Sequence, residues 1–514
     1  MLQESYIYRF AYMICAYLGR SWSESLVARF FKKCGSFFGA VFSGSAVVGF
    51  FKREGILNRG FSGSAAFRLA DALFNLPQRL LHPLYKKAEH IFAESLLFKA
   101  LLFLLKKLHL LTAGFLFIAL VVKDASWNNL YSAIAMALLF LLYLARTVVE
   151  GRTELHLSVL NVFLLLFALC VVLAEIFSIM PGNSLRFLAF YLTCFLLVII
   201  FMTSIRTRED MGEVLAVILV ALTIGGLYGV YQKFTGVAVN ASWVDTKVNQ
   251  GDMSRVFSFF LNPNNFAEII VMLMPFYMAA FFNTKNLLKK LIYLALAVPP
   301  FAALILTQTR AAWIAFAVAG LVYVFFKEKR LIPVFILLGL LAAPFLPQSI
   351  IMRIRTITNP EDSSAETRLL MYQTVLPIVK DYWFTGLGLG NETLLRVSRN
   401  YYSFLPNGAM LAHSHDLYLQ IWLETGIAGI LSFLAFIAAT VKKSIRTICG
   451  AKDAFVVNIL IAGVASLSGI LVIGIVEYVW FYQRVMLIFW VVIGLMLAAL
   501  SINARRQEEQ EVAE

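Results

Sequence analysis

The fold class this sequence predicts is all-α: a polytopic membrane protein with about twelve transmembrane helices. Three observations predict it. Of the 514 residues, 60% are hydrophobic and only 14% charged, against about 25% charged in soluble domains. Apolar runs recur from residue 108 to residue 502, most of them near the roughly 20 residues that a helix needs to cross the hydrocarbon core. The linkers alternate between cation-dense and cation-poor, as in a chain that crosses back and forth. This composition excludes a soluble enzyme, a disordered chain and a disulfide scaffold. It disfavours an outer-membrane barrel, whose alternating strands average out polar. Helices remain, because lipid leaves every backbone group to be satisfied internally.

Residues 1–105 come first and carry no clean spanning run. Residues 1–100 hold 13 Lys/Arg and 6 Asp/Glu, so 13 − 6 = +7, half of the net +14. Glu4 and Arg9 stand where a signal peptide would place its basic start and apolar core, so no such layout is expected. Aromatic and basic residues adjoin at Phe30-Phe31-Lys32-Lys33 and Phe50-Phe51-Lys52-Arg53. The reading is a basic amphipathic extension on the anionic cytoplasmic leaflet; a poorly ordered basic segment is the alternative. The positive charge points to membrane lipids, not to nucleic acid. Cys15, Cys34, Cys170, Cys194 and Cys449 form no metal or disulfide spacing.

The spans follow at 108–122, 128–145, 157–179, 185–204, 213–234, 264–282, 288–306, 310–326 and 331–346 within residues 106–346. Three more, at 416–440, 456–476 and 485–502, lie within 416–502 before a tail at 503–514. Cations gather at Arg146/Arg152, Arg206/Arg208, Lys285/Lys289/Lys290, Lys327/Lys329/Arg330 and Lys442/Lys443/Arg446/Lys452. The positive-inside rule makes these loops, and both termini, cytoplasmic. Two outer loops are long, 235–263 and 347–415, and loops of the second length are usually functional. Residues 365–380 have an amphipathic helical pattern after a polar start at 359–364.

Four polar groups collect on the predicted outer side. They are Arg255 with Asn262, Asn264 and Asn265; Thr307, Gln308, Thr309 and Arg310; Arg368 with Asp381 and the Gly386-Leu-Gly388-Leu-Gly390 run; and His413, Ser414, His415 and Asp416 with Tyr418 and Gln420. Arginine is a permanently charged fork suited to phosphate oxygens. Histidine takes a proton near neutral pH. Together they suffice to move a sugar from a diphosphate to an alcohol without a metal, provided the arginines neutralise the leaving group. Taken singly, Arg255 and Arg310 also fit lipid-phosphate anchors, Arg368 a solvated charge, and each histidine an interfacial cap. The His-x-His spacing has no third soft ligand nearby. A helical segment would point His413 away from His415, about 200° around the axis. The glycine run lacks the strand, helix and lysine of a phosphate loop and reads as a flexible turn.

These residues resemble those of the O-antigen ligase and O-antigen polymerase superfamily of bacterial membrane glycosyltransferases. The resemblance covers roughly residues 180–500. It rests on R-V-F-S-F-F-L-N-P-N-N at 255–265, T-Q-T-R-A-A-W at 307–313, the glycine run and, most specifically, H-S-H-D-L-Y-L-Q-I-W-L-E-T-G-I-A-G at 413–429. It implies a helical fold of the GT-C type, with the large outer loop packed over a lipid-facing cavity. It also implies transfer of an undecaprenyl-diphosphate-linked glycan to a glycan, lipid or protein acceptor at the outer face of the bacterial cytoplasmic membrane, with no cofactor. Residue by residue, it implies His415 as the general base and Arg255, Arg310 and Arg368 as diphosphate ligands, with His413, Asn264, Asn265 and Tyr418 in support. Asp416 stands where the family often has Asn and would orient His415. The alternative function is a lipid-linked oligosaccharide flippase or another transporter. For that reading the mid-span acids are sparse, Glu175 and Glu268 being the main ones.

Overall fold

The structure is a computed structural model, and it describes residues 64–151, 159–236, 254–333 and 363–513, with a few isolated positions besides. The fold is all-α. Three helices open the described chain: α1 (Ala65–Phe92), α2 (Leu96–Lys106) and α3 (Leu108–Val121). A bundle follows of α4 (Asn129–Glu150), α5 (Val162–Ile176), α6 (Pro181–Ser204), α7 (Arg208–Thr235), α8 (Pro263–Asn283), α9 (Leu287–Leu306) and α10 (Arg310–Glu328). Two helices belong to the large loop, α11 (Ser363–Asp381) and α12 (Asn391–Ser398). The chain ends in α13 (Leu417–Gly450), α14 (Ala454–Ile473) and α15 (Gln483–Ala513).

Among the described residues, nine helices are long and apolar enough to cross a membrane. A tenth span is counted if α2 and α3, bent 71° at their junction, are taken as one; α5 is apolar but shorter. Every predicted run except the ninth falls on one of these helices. The ninth, 331–346, lies mostly outside the described residues, as do 359–362 and, Lys33 apart, the aromatic-basic pairs before residue 64.

The helices start where their sequences provide caps. Thr207 and Asp210 form a reciprocal capping box on α7, and Asn161, Asn262 and Asn286 cap α5, α8 and α9. Each side chain answers a backbone N–H that has no partner inside its helix. At the centre is α15, whose whole apolar window is buried. Trp490 on it stacks on Phe436 at 5.7 Å between centroids and meets Phe195 edge-on at 5.0 Å, the offset and T-shaped arrangements that ring quadrupoles favour.

The two ends of the bundle differ in chemistry. At one end, Glu150 receives Arg146 at 3.0 Å and Arg206. There too Asp453 pairs with Arg208 at 2.8 Å and Arg506 at 2.9 Å. These residues all come from the cation-dense loops and the C-terminal segment. Helix α1 docks at this end: Gln78 donates to the Gly151 carbonyl at 2.9 Å, and the His82 ring meets the Val148 carbonyl at 2.6 Å. Its other face exposes Leu69, Leu73, Leu76, Leu80 and Leu84, the three-and-four spacing of an amphipathic stripe. The cation-poor turns meet at the opposite end.

Candidate active site

Construction of this end begins with Arg255. Asn262 is extended, so its side chain can accept from the Asn264 N–H at 2.6 Å and start α8. That fixes Asn264 next to the Arg255 guanidinium, which donates to the Asn264 Oδ1 at 2.8 Å, the Thr307 carbonyl at 2.8 Å and the Thr309 Oγ1 at 3.0 Å. Arg255 is 9% exposed, and it ties the α8 start to the tight turn between α9 and α10. Arg310, the first residue of α10, rises from that turn half-buried. Gln308, within the turn, has φ 53°.

The second part comes from the ends of α13 and α14. Asp416 caps α13, accepting from the Leu419 N–H at 2.7 Å. Burial pushes its carboxyl up. The carboxylate facing His415 is therefore not Asp416, its sequence neighbour. It is Glu477, in the turn between α14 and α15, whose Oε1 lies 3.0 Å from the His415 Nδ1. The other oxygen of Glu477 lies 3.6 Å from Arg368 on α11 and accepts from Asn264 at 3.4 Å. Burial alone would raise the Glu477 carboxyl. The contact with His415, and the positive charge of Arg368, outweigh it and hold the group below the usual carboxylate range.

His413 does not point away from His415. The chain turns at His415, which has φ 53°, a left-handed conformation uncommon outside glycine. The two rings come to 4.1 Å between centroids, and the His415 N–H donates to the His413 Nδ1 at 3.3 Å. His413 also packs on Phe481 at 4.3 Å. Burial pushes its pKa down to about 4.

Glu477 thus brings His415, Arg368 and Asn264 together, with Arg255 one hydrogen bond further on. Three expected members stand apart. Asp416 is spent on a helix cap. Tyr418 donates to the Leu471 carbonyl at 2.8 Å. Asn265 is half-buried beside Asn264 and joins none of these contacts among the described residues. Sequence reading missed Glu477; its signal was a lone acid in the apolar turn I-V-E-Y-V-W. On α8 below Asn264, Glu268 is 2% exposed.

The glycine run is not a loose turn. Leu387 donates to the Leu423 carbonyl at 2.7 Å and Gly388 to the Glu424 carbonyl at 3.2 Å, while Ile427 donates to the Trp383 carbonyl at 2.9 Å. These bonds dock the run on a break in α13 at Gly426, where φ is 68°. A Cβ on Gly426 would lie 2.0 Å from the Phe384 carbonyl oxygen, and one on Gly386 2.6 Å from the Gly426 nitrogen. Only glycine allows this approach.

Among the described residues, one His and carboxylate group is spaced to hold a metal ion: His109, Asp210 and Glu213, where Glu213 also pairs with Lys107. It sits at the cation-rich end of the bundle and shares no residue with the site. No curated protein matches the chain. Residues 294–434, which carry Arg310, Arg368, His413, His415 and the glycine run, match the family model described as O-antigen ligase, and this match places the segment in the O-antigen ligase superfamily.

Proposed function

We propose that this chain is a membrane glycosyltransferase of the O-antigen ligase type. It moves a glycan from an undecaprenyl-diphosphate donor to a hydroxyl of a glycan, lipid or protein acceptor, at the outer face of the bacterial cytoplasmic membrane. The observation that carries this reading is the 3.0 Å approach of His415 to Glu477, with Arg368 on the same carboxylate. A carboxylate 3.0 Å from Nδ1 favours the tautomer with hydrogen there, which leaves the Nε2 lone pair for the acceptor.

The acceptor's O–H proton then passes to Nε2 as its oxygen bonds to the anomeric carbon. The bond from that carbon to the diphosphate oxygen breaks, and its electron pair stays on the leaving group. Arg310 is the main clamp on that charge, because the Arg255 fork is turned toward Asn264, Thr307 and Thr309. Arg255 supports the turn from which Arg310 rises, and Arg368 divides its charge between Glu477 and the donor. Arginine neutralisation of this kind needs no metal.

The test uses purified protein in lipid nanodiscs, a purified lipid-linked glycan and candidate acceptors, with transfer and release of the lipid diphosphate both read. His415→Ala is expected to lose on the order of 10²–10⁴ of the rate, the usual worth of a positioned base, and to keep binding the donor. Wild-type protein that carries the donor across a vesicle bilayer and transfers nothing would replace this reading with the transporter.

A further inference from the structure

The mechanism leaves unused a buried acid about two helical turns into α13 from the base. Glu424 on α13 is 3% exposed. Its Oε1 accepts from the Gln420 Nε2 at 3.0 Å and from the Tyr478 hydroxyl at 3.3 Å. Its Oε2 accepts from the Tyr191 hydroxyl at 3.3 Å, and the Gly390 N–H is a further donor. Two of these bonds lead back to the site. Gln420 turns its Oε1 to the Ser414 N–H at 2.9 Å, and Ser414 stands between His413 and His415. Tyr478 is the residue after Glu477.

We propose that Glu424 is a positioning residue, which sets the separation and orientation of the His415–Glu477 pair through these two arms. This positioning role rests on the reading of His415 as the base. Its geometry is directional. Gln420 can offer its oxygen to Ser414 only while its NH₂ faces an acceptor, and a carboxylate is acceptor only. A Glu424→Gln side chain has the same shape but one donor end, so it cannot accept from Gln420, Tyr478, Tyr191 and Gly390 together. With its oxygen kept on the two arms it turns an NH₂ to the other side, where the Gly390 N–H can only donate; with its NH₂ on the arms both lose their acceptor, so either orientation displaces the side chain that holds them. Proton transfer tolerates little misplacement, and about 1 Å is worth on the order of a hundredfold in rate.

The alternative is that Glu424 only braces the fold, through Tyr191 and Gly390. The two roles separate in a double-mutant cycle on the full chain in nanodiscs, with purified lipid-linked donor. Glu424→Gln, Gln420→Ala and Tyr478→Phe are each made in wild-type and His415→Ala backgrounds, and kcat and the donor KM are measured. In the wild-type background each is expected to lower kcat about tenfold to a hundredfold with little change in KM. In the His415→Ala background the loss should vanish, because no base is left to position. Equal fold losses in both backgrounds, or a raised KM at unchanged kcat, would overturn the positioning role. Full activity in His415→Ala alone would instead overturn the base reading beneath it. Should Glu424→Gln not yield folded protein, Tyr478→Phe and Gln420→Ala each remove a single arm and decide the matter by the same comparison.

Discussion

His415 and Glu477 are 3.0 Å apart because α13 and α14 form a hairpin that returns the chain to the end where it began. His415 lies just before α13 and Glu477 just after α14. The Leu417 N–H donates to the Gly474 carbonyl at 2.8 Å and closes the hairpin's mouth. Tyr372 of α11 leans on the same mouth, its hydroxyl donating to the Ile475 carbonyl at 3.2 Å. The pair is therefore set by packed helices, with the large loop of α11 and α12 lying against it.

Glu477→Gln is expected to lower kcat by about 10²-fold or more, because a neutral amide supports neither the His415 tautomer nor the imidazolium that forms during transfer. Donor binding should change less, since only the Arg368 contact is shared. Asp416→Asn should cost less than Glu477→Gln, because an Asn at the cap still accepts from the Leu419 N–H. Steady-state transfer kinetics check both. Equal losses would return the orienting role to Asp416.

Arg310→Lys keeps the charge and gives up the bidentate fork, so most transfer activity should be lost while folding is unaffected. Arg255→Ala should behave differently. It removes three hydrogen bonds from a buried arginine, leaving Asn264 and the 307–309 turn without their partner, at a cost of about 1–3 kcal/mol for each buried group left unsatisfied. A lower melting temperature is expected alongside the lost activity. A melt unchanged from wild type would make Arg255 a ligand of the donor and nothing more.

Stability should fall in acid in two separate windows. His413 is held at about 4 in the folded protein, against about 6.5 in the open chain. Between those values the open state binds the extra proton, so stability rises with pH there and is lost as pH falls from about 6.5 to 4. The full difference is at most about 3 kcal/mol. Glu477 is lowered, so its contribution is complete above about pH 4.3 and is lost only below that. Thermal melts between pH 7 and pH 4.5 should therefore report His413, and His413→Asn should flatten them. An unchanged slope in that variant would assign it to another group.

The gross layout was legible in the sequence because hydropathy and loop charge act locally. Twenty apolar residues are a span wherever they occur, and Arg206, Arg208 and Arg146 mark one end of the bundle by charge alone. The joining of Arg368, His415 and Asn264 through Glu477 was not legible, since it depends on how two distant turns meet. Asp416 misled because adjacency in sequence is not adjacency in space. A residue before a helix has its own obligation to the backbone, and Asp416 meets it. The glycine run misled in a similar way: three glycines signal freedom, and only the break at Gly426 shows that this freedom is used for close contact. Glu424 gave no local sign, because an acid inside an apolar helix has meaning only once Tyr191, Tyr478 and Gln420 surround it.

Topology is the prediction on which the others depend. The contacts at Glu150 and Asp453 draw the cation-dense loops and the C-terminal segment to one end of the bundle, while His415, Glu477, Arg368 and Arg255 gather at the other. Short loops rich in Lys and Arg stay on the cytoplasmic side during insertion. Reporter fusions after Arg330 and after Arg446 should therefore read cytoplasmic, and a fusion near Asn391 should read external. Glycan transfer of the proposed kind needs its donor and acceptor at the outer leaflet, so the sign of the Asn391 signal bears directly on function. A cytoplasmic reading there would put the His415–Glu477 pair and all three arginines on the wrong face of the membrane, and glycan transfer at the outer face would have to be abandoned whatever the mutants do.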